Sequence, residues 1–160
     1  MEIQCARWVV SWPLFAAGGA AIVAGGLVGA ATAPSPSEKG SWAAAYLVLV
    51  AGVAQIGLGF GQAALSTATL STRILGTETI GWNAANAAVI AGTLANVDSL
   101  VDTGGILLVA TLATFATRVR GGEAAFGGRR WPAYVFRGLV VVLMISIPIG
   151  LVLATVHGNR

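Results

Sequence analysis

The sequence predicts an all-α integral membrane protein, a bundle of five transmembrane helices in a single domain. Of its 160 residues, 56% are hydrophobic and only 9% are charged, whereas a soluble domain carries about 25% charged residues. So few charges cannot cover a water-facing surface with solvated groups. The apolar residues also form several runs about as long as the roughly 20 residues that cross a bilayer. Composition and run length together favour a multi-pass membrane protein over residues 1–160.

The predicted helices are 8–31, 42–69, 81–96, 97–117 and 133–156. Pro34 and Pro36 follow the first run and end it, because proline cannot continue a helix. The first run also resembles a secretory signal peptide with small residues at 31–33. It is longer than the apolar core of such a peptide, which is about 7 to 15 residues, so we expect an uncleaved helix.

Residues 81–117 admit two interpretations. This segment exceeds a single crossing of roughly 20 residues, and the polar stretch 96–99 divides it into two helices. In the alternative, four helices span the membrane and a re-entrant segment lies within 81–103. The alternative places the C-terminus on the cytoplasmic side.

Basic residues predict the orientation. With a cytoplasmic N-terminus, only Lys39 and Arg160 lie outside. The cytoplasmic set is Arg7, Arg73, Arg118, Arg120, Arg129, Arg130 and Arg137. This asymmetry follows the positive-inside rule and makes the loop 118–132 cytoplasmic. Eight of the nine basic residues are arginine, which is typical of a G+C-rich bacterial genome, so we expect the bacterial cytoplasmic (inner) membrane.

The arginines of the basic loop also predict a contact surface. We expect them to touch anionic lipid head groups or a partner protein. They are Arg118, Arg120, Arg129, Arg130 and Arg137.

The second helix carries small and polar residues on one face. Gly52, Gly59 and Ser66 recur at helical spacing on this face, together with Gln55 and Gln62. Small residues mark helix contacts in membranes, since they let backbones approach. The two amides must face protein or water, because lipid offers them no hydrogen bond. This face is therefore predicted to be a packing seam, with a polar cavity or pathway as the alternative.

The third predicted helix adds Asn83 and Asn86 on one face. They can pair with Gln55 and Gln62 in an amide zipper that fixes helix register. They can equally form a cradle for a ligand with matched donors and acceptors, such as a quinone carbonyl, an amide or a hydrated ion.

Asp98 and Asp102 are four residues apart and share a helical face. Carboxylates in a first helical turn are favoured by the helix dipole and the unpaired N–H groups. Intramembrane carboxylates otherwise mark cation or proton paths. The sequence leaves both interpretations open for this pair.

The composition argues against several functions. With one cysteine and one histidine, we expect no metal site and no cofactor held by this chain alone, although a quinone or lipid can bind. No nucleophile, base and orienting group can be assembled, so an enzyme is not expected. The charges are too few for nucleic-acid binding.

Three functions remain. The leading interpretation is an accessory or structural subunit of a larger bacterial membrane complex, with the lipid bilayer and other membrane subunits, or copies of itself, as partners. The alternative is a small transporter or channel with a polar lining from helices 2, 3 and 4. The second alternative is a protein that binds an apolar ligand or quinone.

Overall fold

The computed structural model describes the backbone of residues 9–65, 71–118 and 131–158, and the side chains within 9–65, 71–117 and 131–147. In these ranges the regular structure is helical throughout, which confirms the all-helical prediction. The helices are α1 Trp12–Thr32, α2 Glu38–Leu65, α3 Thr72–Ala95, α4 Asp98–Arg118 and α5 Trp131–Gly158. Three described segments are long and apolar enough to cross a membrane: α1, α2 and Asp98–Thr117 of α4.

Local sequence explains where α1 and α2 meet. Proline lies in the first turn of α1, where its missing N–H is not needed. The Ser37 hydroxyl accepts a hydrogen bond of 3.1 Å from the Gly40 amide and so caps the N-terminus of α2. Glu38 in the first turn of α2 favours the same helix end through the helix dipole. The short connection 33–37 therefore turns the chain back, and α1 and α2 are antiparallel neighbours.

Residues Leu47–Ala54 of α2 form a π-helix, a rare conformation in which the turns widen. The π segment and α1 approach closely where two glycines meet: a Cβ on Gly18 would lie 3.0 Å from the Gly52 carbonyl oxygen. Seven residues away on each helix, Gly25 lies against α2 and Gly59 lies against Leu14. Two members of the predicted seam, Gly52 and Gly59, thus face α1.

A second pair of glycines on α2 packs against α5. A Cβ on Gly57 would lie 2.9 Å from the Leu139 side chain, and Gly61 lies directly against the Phe136 ring. Because glycine leaves a groove between turns, the large side chains of α5 fit into the surface of α2. Helix α2 therefore packs on two neighbours with two different sets of glycines.

Helix α3 begins at Thr72, nine residues before the predicted start at 81. The segment 72–79 contains Arg73, Glu78 and three threonines, so its mean hydropathy resembles that of a loop. It is nevertheless helical, and its Leu75 and Glu78 side chains are buried in the bundle. At 24 residues, α3 is about 36 Å long, which is enough to cross a bilayer of about 30 Å.

A tight turn joins α3 to α4. Asn96 has φ 55° and ψ 46°, the left-handed conformation, and the Val97 amide donates to the Gly92 carbonyl at 2.8 Å, as in a helix C-terminal cap. Residues 81–103, for which the sequence left two interpretations, thus form the end of one helix and the start of the next. Lys39 donates to Asn96 Oδ1 at 2.7 Å and ties this turn to the start of α2.

We call the end of the bundle that holds 33–37 and Asn96–Val97 the hairpin end. At the opposite end, the basal end, α2 and α4 finish and α3 and α5 begin. Arg73 is exposed in the first turn of α3 and Arg137 in the second turn of α5, at or near the basal end. Asp98 lies at the hairpin end.

The Asn96 turn offers a test of this geometry. We expect Asn96→Ala to lower the free energy of unfolding by about 1–2 kcal/mol, because alanine adopts the left-handed conformation less readily than asparagine and because the acceptor of the Lys39 hydrogen bond is lost. Asn96→Gly keeps the backbone conformation and loses only the Lys39 bond, so it should cost less. Unfolding in detergent micelles measures both, and equal losses for the two variants would contradict the role assigned to the backbone.

Candidate functional site

The interior of the bundle contains polar side chains. Those buried among the described residues are Ser11, Gln55, Gln62, Glu78, Asn86 and Thr111. Burying such groups costs free energy unless they are hydrogen-bonded. The hydrogen-bond partners of these groups therefore determine which ligands the site can bind.

Gln62 and Glu78 form the centre of the site. Gln62 Nε2 donates to Glu78 Oε2 at 2.7 Å, and both side chains are buried. The bond joins the last turn of described α2 to the second turn of α3. Sequence reasoning missed Glu78, because it assigned 70–80 to a loop. The helical spacing of Leu75, Glu78 and Trp82 was the signal that could have found it.

The predicted amide zipper between α2 and α3 is not the arrangement observed. Asn83 Nδ2 donates to the Thr79 carbonyl and Asn86 Nδ2 to the Trp82 carbonyl, each at 2.8 Å. Both asparagines thus bond to the backbone of their own helix, one turn back. Asn83 is half-buried, whereas Asn86 is buried.

Helix register places the remaining polar groups. Because α2 and α3 are antiparallel, Gln55, seven residues before Gln62, lies about level with Asn86 and about 10 Å from the Gln62–Glu78 pair along the helix axis. Leu14 packs on Gly59, so Ser11, three residues earlier at the N-cap position of α1, lies about level with Gln62. The buried polar groups therefore form a column from the basal end to the middle of the bundle. We call Ser11, Gln55, Gln62, Glu78 and Asn86 the polar column.

Trp82 lies beside this column on the face of α3 that carries Glu78 and Asn86. It is fully buried, and its ring meets Phe115 edge-on with ring centroids 6.2 Å apart. On the next turn of α4, Thr111 lies under Gly81 and donates to the Leu107 carbonyl. Phe115 and Thr111 of α4 thus pack against α3 beside the column.

Several polar atoms of the column have no hydrogen-bond partner among the described residues. They are Ser11 Oγ, Gln55 Oε1, Gln55 Nε2, Gln62 Oε1 and Asn86 Oδ1, together with Trp82 Nε1. The bonds of Gln62 and Asn86 fix their amide orientation, since each NH₂ group already donates. In both amides the oxygen is therefore the atom that has no hydrogen-bond partner. Native structures contain few such atoms, and each calls for an explanation, such as a bound water molecule or an ion.

The chemistry of the column is that of an oxygen-rich site. It combines one carboxyl group with up to three amide oxygens. No group of three or more His, Cys, Asp or Glu that could hold a metal ion occurs among the residues described. Carbonyl and carboxylate oxygens suit hard cations.

The two predicted aspartates lie elsewhere. Asp98 is exposed at the first residue of α4, and Asp102 is half-buried one turn later. They lie at the hairpin end, whereas Glu78 lies toward the basal end. Of the predicted lipid-contact arginines, Arg137 is exposed. Ser66, Arg120, Arg129, Arg130 and the side chain of Arg118 lie outside the described residues.

Comparison of the chain with protein-family models, with curated proteins and with solved structures finds no match.

Proposed function

We propose that the chain is a five-helix integral membrane protein of the bacterial cytoplasmic membrane that binds a monovalent cation inside the bundle and conducts it, as a small transporter or channel. The observation that carries the proposal is the buried carboxyl group of Glu78, which accepts a bond from Gln62 and is accompanied by unpartnered amide oxygens.

The distribution of polarity supports insertion in a bilayer. Glu78 is 6% exposed, whereas Ile80, two residues later on α3, is 70% exposed. Val23, Leu27 and Leu49 likewise point outward. In water this arrangement is unfavourable, since removing apolar surface from water lowers the free energy. In lipid an apolar exterior costs little, and amide and carboxyl groups must turn inward.

The charges support the orientation with the basal end in the cytoplasm. Arg73 and Arg137 are exposed on the basal turns of α3 and α5. At the hairpin end, Lys39 is bonded to Asn96 and to the Leu94 carbonyl at the end of α3. Cytoplasmic segments of membrane proteins carry the excess of basic residues.

The polar column supports a cation as the bound species. Intramembrane carboxyl groups mark ion and proton paths, and this one faces the bundle interior. The free atoms on Gln62 and Asn86 are both acceptors, which a metal ion, a hydronium ion or a hydrated cation satisfies. H⁺, Na⁺ and K⁺ share this chemistry, and the experiment below separates them.

Flux in proteoliposomes tests the proposal. With imposed gradients of H⁺, Na⁺ or K⁺, ion-sensitive dyes should report uptake of at least one cation. Gln62→Leu should slow that uptake about tenfold or more, because leucine removes the amide oxygen and the bond to Glu78; a bond to a charged group contributes about 1.5–3 kcal/mol, and about 1.4 kcal/mol is a factor of ten.

The matched control is Glu38→Gln, which alters an exposed carboxyl group at the hairpin end and should leave the rate unchanged. Absence of uptake for all three cations, or equal rates for Gln62→Leu and the unaltered chain, would remove the proposal.

A second candidate function is an accessory subunit of a larger membrane complex, or a homo-oligomer. Gly19 and Gly26 lie seven residues apart on α1 with open space around them, so the outer face of α1 can admit a further helix. Copurification after mild detergent extraction tests this candidate. A chain that stays monomeric and without partners in lipid nanodiscs would count against it.

A further inference from the structure

A cavity of about 310 Å³ opens between α2, α3, α4 and α5, toward the hairpin end and separate from the Gln62–Glu78 pair. Its volume lies in the range of small-molecule sites and is about ten times the volume of one water molecule in the liquid. Its walls include Trp42, Tyr46, Val50, Thr93, Leu108 and Ser146. We propose that this cavity binds a neutral, flat ring compound with two carbonyl oxygens, of the quinone class.

The walls select for an uncharged, apolar molecule. None of the residues that line the cavity carries a charge, so an ionic ligand would lose its hydration without gaining a counter-ion. Val50 and Leu108 supply aliphatic surface on α2 and α4. A molecule that partitions into lipid fits this surface, and in that respect the proposal rests on the membrane insertion proposed above. It does not depend on the cation site.

Aromatic side chains favour a ring over an acyl chain. The rings of Trp42 and Tyr46 lie 5.1 Å apart with planes tilted by 31°, and both line the cavity. Aromatic faces of this kind pack on a planar ring in offset or edge geometry, with a gain beyond area burial. An acyl chain offers no such contact.

Hydroxyl groups supply the polar part of the site. Tyr46 on α2 and Ser146 on α5 line different walls, and no described residue accepts a hydrogen bond from either hydroxyl. Thr93 already donates to the Val89 carbonyl at 2.8 Å. The two available donors on two helices match a molecule with carbonyl oxygens on opposite sides of one ring, since a few placed polar groups orient a ligand in an apolar pocket.

Equilibrium binding to the whole chain in lipid nanodiscs tests the proposal. The probe is a benzoquinone with one isoprenyl tail, and the signal is quenching of tryptophan fluorescence. We expect saturable binding that Ser146→Phe weakens about tenfold or more by filling the cavity. Tyr46→Phe should weaken it about fivefold, because it removes a hydroxyl donor and keeps the ring.

Two controls separate this site from general effects. Ile145→Phe adds the same ring to a neighbouring exposed position that does not line the cavity, and it should leave binding unchanged. A saturated hydrocarbon of equal carbon number should compete poorly. Binding that neither Ser146→Phe nor Tyr46→Phe weakens, or equal binding of the hydrocarbon, would overturn the proposal. Because the readout is binding and not flux, its failure leaves the cation proposal standing.

Discussion

Replacing Glu78 with glutamine should reduce cation uptake about tenfold or more while the bundle stays folded. Glutamine keeps the size and shape of the side chain and can still accept the bond from Gln62 Nε2, which is 2.7 Å long in the native pair. It removes the group that carries negative charge. A cation held by the Glu78 carboxyl group and amide oxygens would then lose the negative charge of Glu78, which offsets the desolvation of the ion.

The stability of Glu78→Gln separates a functional carboxyl group from a structural one. Because glutamine keeps the shape of the side chain and can accept the bond from Gln62, the free energy of unfolding should change by no more than about 1.5 kcal/mol, the usual net contribution of one hydrogen bond. Uptake in proteoliposomes and unfolding in micelles are measured on the same preparation, with Glu38→Gln as the reference. Undiminished uptake in Glu78→Gln, or lost uptake explained by unfolding, would contradict the role of Glu78 in ion binding.

Introducing leucine at position 18 should have the largest effect on stability. A Cβ there would lie 2.7 Å from the Ile56 side chain and 3.0 Å from the Gly52 carbonyl oxygen. The Ile56 side chain can move, but the backbone of α2 cannot move without separating α1 from α2. We expect Gly18→Leu to lower the free energy of unfolding by about 3 kcal/mol, at the upper end of the usual cost of overpacking.

Gly19→Leu is the matched control for this substitution. It adjoins position 18 on the same helix, and nothing lies within 4 Å of its Cβ position. Leucine favours a helix over glycine by roughly 0.5–1 kcal/mol, so Gly19→Leu should be neutral or stabilising in the monomer. Equal losses at positions 18 and 19 would show that the close approach of α1 and α2 does not account for the effect.

Hydropathy predicted most of the helices because their outer surfaces are apolar. The predicted runs 8–31, 97–117 and 133–156 lie close to α1 Trp12–Thr32, α4 Asp98–Arg118 and α5 Trp131–Gly158. Helix α3 begins earlier than predicted, because its first two turns are helical although most of their polar residues are exposed and only Glu78 is buried. A hydropathy average cannot tell a polar loop from a polar helical turn that buries one face.

The candidate site was predicted in part for the same reason. Gln55, Gln62 and Asn86 stand out as amides in apolar helices, and all three are buried. Their partners depend on long-range register, which no local pattern contains. Gln62 therefore bonds to Glu78, sixteen residues away and outside the predicted third helix. The Tyr46–Ser146 cavity is still less accessible to sequence reasoning, since four separate helices form its walls.

The sequence by itself determined that this chain forms helices with apolar outer surfaces, and that glycine and amide groups must lie where other helices can meet them. Composition and periodicity suffice for this, because each residue type carries its own cost of exposure to lipid or water. Only the tertiary structure decided which glycines meet which helix, and which buried oxygen atoms remain without a partner. These depend on the crossing and register of helices distant in the chain, set by packing among all five together.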